Sequence, residues 1–247
     1  MGQFVQLTAE DGTQFSAWVA EPDGPVRGCL VVAQEIFGVN AHIRAVTERM
    51  AARGFVAIAP SLFDRLQPEV NLGYDAEGMR QGKELKAAAE ALPGEGVMQE
   101  VRAAAQWGQQ RVGRKVGMVG FCWGGLLAWR AANLVDEVAA VVCYYGGGMT
   151  VEPEVLRTPH VPVMAHFGAR DAHISLESVM AFSALHQQVE VHVYDADHGF
   201  NCDQRASYDN TSAIQAKDRT LEFFDRHLPQ ASSDLNSQLN SALRLGE

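Results

Sequence analysis

Four residues along this chain carry side chains able to do covalent or proton-transfer chemistry and follow stretches that read as strands: Cys122, Asp171, His198 and Glu35. Cys122 lies in Gly120-Phe121-Cys122-Trp123-Gly124, after the apolar run from Val116 and before the helix-compatible Leu126-Leu127-Ala128-Trp129-Arg130-Ala131-Ala132. This is the G-x-S-x-G nucleophile elbow with cysteine in the serine position. The strand-to-helix turn is tight enough to strain its central residue, and a glycine two positions away on each side prevents collision. The turn lifts the central side chain to the positive end of the following helix, which favours the nucleophilic thiolate. A buried cysteine in an ordinary strand–turn–helix could share the spacing, so the reading depends on what accompanies it.

A base and an acid do accompany it, in the chain order Cys122, Asp171, His198. That is the nucleophile–acid–histidine order of α/β-hydrolases. His198 would hold the thiol proton or pair with the thiolate, and Asp171 would fix its tautomer and orientation. His173 is the rival base. His166 and His192 fall inside predicted strands and read as structural. Asp195 and Asp197 are rival acids, but they are too near His198 in sequence to reach its distal nitrogen. The backbone N–H of Trp123 is one expected oxyanion donor, and that of Ile36 the second. Glu35 precedes Ile36. A carboxylate there would disfavour the thiolate by like-charge repulsion or accept its proton; it could equally complement a helix dipole.

The elements that must position these groups can be read from apolar runs and turn residues. Gln3 to Thr8 and Gln14 to Ala20 alternate and predict an antiparallel hairpin at a sheet edge. Gly28 to Ala33, Phe55 to Ala59, Lys115 to Phe121, Val138 to Tyr145, Val161 to Phe167 and Val189 to Tyr194 read as further strands, mostly buried on both faces. Helices are expected over 41–53, 76–91, 97–110, 123–133, 176–187 and 212–228. This alternation predicts an α/β class: a mostly parallel, doubly wound sheet with helices on both faces. Ligands of such sheets bind beyond the carboxyl ends of the strands. Residues 1–228 are expected to form one domain and 229–247 a polar C-terminal tail.

The chain has 247 residues, 47% hydrophobic and 20% charged, with a net charge of −10. The negative balance argues against nucleic acid as a partner, and any anionic substrate would need local arginines. No apolar run is long enough to span a membrane, and the first residues lack the features of a signal peptide. Cys29, Cys122, Cys143 and Cys202 are widely spaced with no CxxC pair, which argues against zinc and against a disulfide framework. A cytoplasmic enzyme with no cofactor is expected. It would act on a small molecule as a monomer, and a dimer is also compatible with the sequence.

Gln34-Glu35-Ile36-Phe37-Gly38, the Gly120–Gly125 elbow, Tyr144-Tyr145-Gly146, Arg170-Asp171 and His198-Gly199-Phe200 resemble the dienelactone hydrolases, or carboxymethylenebutenolidases. The resemblance runs from about Phe4 to Leu228. It implies an α/β-hydrolase fold and a Cys–His–Asp triad opening a lactone through an acyl-enzyme, with Glu35 beside Cys122 controlling its ionisation. It also implies two arginines holding a substrate carboxylate. Arg80 matches the first. The second is replaced by Cys202, four residues after His198, with Arg205 three further on; Glu84 stands where the family has an aromatic. Tyr144 joins Arg80, Cys202 and Arg205 as a candidate substrate contact. Two other readings compete: a general carboxylesterase or thioesterase, and a non-catalytic sensor using Cys122 as a redox switch. The sensor needs no oriented histidine.

Overall fold

Gly28–Ala33 (β3), expected to be covered on both faces, and Val116–Phe121 (β5), the elbow strand, are buried at every position and lie side by side in the middle of the sheet. The computed structural model describes residues 2–228, and the tail expected from Pro229 falls outside them. The other strands are β1 Gln3–Thr8, β2 Gln14–Ala20, β4 Phe55–Pro60, β6 Val138–Tyr144, β7 Val163–Gly168 and β8 Glu190–Tyr194. They form one eight-stranded sheet in the order β1-β2-β4-β3-β5-β6-β7-β8. The predicted hairpin β1–β2 sits at the edge, and β2 also runs antiparallel to β4; all other pairs are parallel.

The helices are α1 Ala41–Ala51, α2 Ala76–Glu90, α3 Met98–Val112, α4 Trp123–Leu134, α5 Leu176–Leu185 and α6 Asn210–His227. They cover both faces, as alternation along a strand requires. Cys29 of β3 faces Gly108 of α3, while Gly117, paired with Leu30, opens toward Phe224 of α6. Adjacent residues of one strand therefore meet helices on opposite sides.

Two features bring the candidate residues together. The chain leaves β3 toward β4 on one side and later returns as β5 on the other. The crevice at this reversal, beyond the carboxyl ends of β3 and β5, is where open α/β sheets bind ligands. The loop after β3 carries Glu35 and Ile36, and the turn after β5 carries Cys122. The second feature is close backbone packing at the elbow. A Cβ on Gly120 would stand 1.9 Å from the Gly124 carbonyl oxygen, and one on Gly124 would stand 2.4 Å from that of Ala33. Neither position accepts any other residue without moving backbone. No helix among the described residues is long and apolar enough to cross a membrane.

Candidate active site

Cys122 has φ 55° and ψ −116°, between the end of β5 and the first residue of α4. Few non-glycine residues adopt such a backbone, and they collect at functional sites. Its N–H donates to the Tyr144 carbonyl at 3.0 Å, and its carbonyl accepts from Gly125 at 2.9 Å. The turn is thus held from both sides. Trp123 opens α4, so its N–H has no acceptor within the helix. The Trp123 indole stacks on Phe63 at 5.1 Å and donates to Glu90 Oε1 at 2.6 Å, which fixes the start of the helix.

The loop after β3 is fixed by Gln34, whose amide donates to the Glu35 carbonyl at 3.1 Å while its oxygen accepts from the Leu62 N–H at 3.1 Å. A peptide is planar and trans. Holding the Glu35 carbonyl therefore also sets the direction of the Ile36 N–H, the second expected oxyanion donor. The sequence reading had not singled out Gln34 by itself.

His198 Nδ1 lies 2.7 Å from Asp171 Oδ2. The other carboxylate oxygen of Asp171 accepts from the N–H groups of His173 and Ile174 at 2.7 and 3.1 Å. Burial pushes the Asp171 carboxyl up, but the hydrogen bond and charge of His198 and the two N–H groups outweigh it and hold it below its ordinary range. Burial likewise pulls His198 down. Its hydrogen bonds to Asp171 and Cys122, and their charges, prevail and raise it to about 10. The His173 ring is 5.1 Å from that of His198 and does not take its place against Asp171. Asp195 and Asp197 pair with Arg170 instead.

The shift at His198 has a consequence for stability. Folding raises its value from the ordinary 6.5 to about 10. A group raised in this way contributes its full stabilisation below its unfolded value and loses it as pH rises through the folded value. The difference in Tm between wild type and His198→Gln is expected to be largest in mildly acidic solution. It should shrink between pH 6.5 and about 10. Thermal unfolding across that range checks this, and a difference that grows with pH would contradict it.

Glu35 is fully buried. Its Oε1 accepts from Arg205 Nη1 at 3.2 Å and its Oε2 from the Tyr74 hydroxyl at 2.8 Å. The carboxylate is engaged by these two groups, not by Cys122. Arg205 is itself mostly buried, with its guanidinium near the rings of Phe37 and Tyr74. A Cβ on Gly199 would stand 2.6 Å from Arg205 Nη1, so the glycine after His198 makes room for the arginine. Cys202 also reaches the Glu35 region but is wholly buried, and burial pushes its thiol up to about 11.

Two expected substrate contacts lie elsewhere. Tyr144 points into the packing beneath α6, its hydroxyl 2.8 Å from Thr220 Oγ1, which also meets His166 Nε2 at 3.0 Å. Its neighbour Tyr145 takes the position at the site. Tyr145 has φ 38°, its ring lies 5.1 Å from that of His198, and its buried hydroxyl has no hydrogen-bond partner. Strand alternation explains the difference, since consecutive residues face opposite ways. Phe121 pairs with Tyr144, so the residue after each shares the sheet edge. Arg80 is exposed, and its guanidinium is held by Glu77 at 2.6 Å and Glu84 at 2.6 Å. These i,i+3 and i,i+4 pairs occupy the charge that an anchor would have to offer.

Residues 15–228 match the dienelactone hydrolase family. Among relatives, a carboxymethylenebutenolidase-like protein of Synechocystis sp. is 35% identical over 235 residues, covering 87% of this chain and 93% of its own. The carboxymethylenebutenolidase of Pseudomonas putida is 30% identical over 229 residues, covering 89% and 94%. The crystal structure of a dienelactone hydrolase-like protein of Klebsiella pneumoniae superimposes with a TM-score of 0.77 at 29% identity, covering 92% of this chain and all of the other. The fold and site define an α/β-hydrolase enzyme. The chain belongs to the dienelactone hydrolase family.

Proposed function

We propose that this hydrolase opens a small lactone or activated ester through an acyl-enzyme on Cys122, with His198 and Asp171 completing the triad. The observation that carries this reading is the 2.7 Å contact between Asp171 and His198, beside a cysteine held at φ 55° in the elbow turn. The Cys122 sulfur attacks the carbonyl carbon. The resulting oxyanion is held by the N–H groups of Trp123 and Ile36. Collapse expels the alkoxide or enolate, which takes the proton from His198. Once the sulfur is a neutral thioester it no longer supports the imidazolium, so His198 stays neutral and is available as a general base. It then deprotonates the water that hydrolyses the thioester, and Cys122 and His198 return to their starting state.

The same reading assigns carboxylate recognition to Arg205 and not to Arg80. Arg205 is the guanidinium beside Glu35 and Tyr145, and Arg80 is bound by its own helix. A charge-assisted hydrogen bond contributes about 1.5–3 kcal/mol, which is about ten- to a hundredfold in affinity. Arg205→Gln is expected to lower kcat/KM for dienelactone acid relative to its neutral methyl ester by that factor. Arg80→Ala should leave the ratio within about twofold, as expected of an exposed pair. Taking the acid-to-ester ratio cancels any shared effect through Glu35. A general esterase or thioesterase would show little preference for the acid in any of these proteins. A redox sensor would turn over neither substrate.

A further inference from the structure

Behind Glu35 the fold brings together three donors of the kinds that bind zinc. Single ligand atoms of Glu35, His42 and Cys202 lie within 4.8 Å of one another, and all three residues are buried. They come from the loop after β3, the first turn of α1 and the loop after His198, which is why no sequence spacing announces them. His42 is wholly buried and its Nε2 has no hydrogen-bond partner. An orphaned buried nitrogen of this kind is unfavourable and asks for an explanation. Its other nitrogen, Nδ1, is 3.4 Å from Asp203 Oδ1. Metal-bound histidines commonly carry a carboxylate on the imidazole nitrogen that does not hold the metal.

We infer that Glu35, His42 and Cys202 form a binding site for a zinc-class divalent ion. Carboxylate oxygen, imidazole nitrogen and thiolate sulfur are the three protein donor types of zinc, and three such ligands leave a fourth position open. Bonds of about 2.0–2.3 Å in a tetrahedron space the donors by about 3.3–3.6 Å, so side-chain shifts of about 1 Å close the site. Binding converts the Cys202 thiol to a metal-bound thiolate and releases its proton to solvent. The two anionic ligands then balance the charge of the ion. Arg205 must leave Glu35 Oε1, while the Tyr74 hydroxyl can remain on Oε2. An ion here displaces Arg205 from Glu35 and so moves the guanidinium to which carboxylate recognition is assigned; that effect on turnover, unlike the binding, rests on the proposed function.

The test measures binding without turnover, on the full chain carrying Cys122→Ala so that the nucleophile offers no thiol. Metal-free protein is titrated with Zn2+ against a chromogenic chelator and, separately, with Co2+. One Zn2+ per chain is expected, with a thiolate-to-cobalt charge-transfer band in the near ultraviolet. Adding Cys202→Ala or His42→Gln should remove that band and weaken Zn2+ binding by at least about a hundredfold, beyond the loss typical of outer-shell changes. If His42→Gln fails to fold, Cys202→Ala alone decides. Absence of binding in the Cys122→Ala protein overturns the inference, and would place any zinc bound by wild type on Cys122 and His198. So does affinity unchanged by Cys202→Ala.

Discussion

Cys122→Ala is expected to lose ester and lactone hydrolysis by roughly 10^4- to 10^6-fold, the scale on which a hydrolase loses turnover without its nucleophile. The fold should survive. Alanine meets the same φ of 55° at the elbow as cysteine does, and the backbone bonds that hold the turn involve no thiol. The Tm should therefore stay close to wild type, with the loss confined to kcat. Cys122→Ser is expected to be poor as well. A hydroxyl is far harder to deprotonate than a thiol, so a serine here would depend much more heavily on its general base. Parallel thermal unfolding and single-turnover assays with a chromogenic ester separate a chemical loss from a folding loss. Substantial turnover by Cys122→Ala would remove the nucleophile from this account.

Asp171→Asn is the second large expected effect. In a serine-protease triad the same change costs about 10^4 in kcat through the wrong tautomer, and a loss of about 10^3–10^4 is expected here. The backbone decides the orientation of the new amide. One carboxylate oxygen of Asp171 accepts from two backbone N–H groups, so the asparagine oxygen will remain there. Its NH2 group then faces His198 Nδ1 and donates to it. That places the imidazole proton on Nε2, the nitrogen that should accept from Cys122. The loss of negative charge also removes part of what raised His198. Asp195→Asn and Asp197→Asn should do little, because both carboxylates pair with Arg170 at the surface. Steady-state kcat for the three variants checks the assignment, and a larger loss from either of the latter two would transfer the role.

The elbow was legible in the sequence because its determinants are local: an apolar strand, two obligatory glycines and a helix within a dozen residues. The parallel sheet was legible from the same alternation, and element ends differ from expectation by three residues or fewer. Side-chain direction at strand ends was less legible. Tyr144 and Tyr145 are adjacent, and only the register of β6 beside β5 puts Tyr145 and not Tyr144 next to Cys122. Arg80 could have been discounted from its helix, since Glu77 and Glu84 stand at the spacings that pair with it. Arg205 was named in the sequence as a candidate contact, but its pairing with Glu35 was hidden by loop geometry. Successive turns, Cys202 N–H to Gly199, Arg205 to Cys202 and Tyr208 to Arg205, fold the chain back every three residues. Arg205 thus reaches Glu35 although it stands seven positions after His198, a distance that counting along the chain does not reveal. Tyr74 and His42 were invisible for a related reason, because their importance comes from a carboxylate on a different loop.

The acyl-enzyme itself offers the most direct measurement. Wild-type protein is mixed with excess chromogenic ester, quenched in acid within the burst, and examined by intact mass and by peptide mapping. The account predicts about one acyl group per chain, carried on the peptide containing Cys122, with a matching burst of chromophore that is absent from Cys122→Ala. An acyl group on another residue, or an undiminished burst in Cys122→Ala, would contradict it.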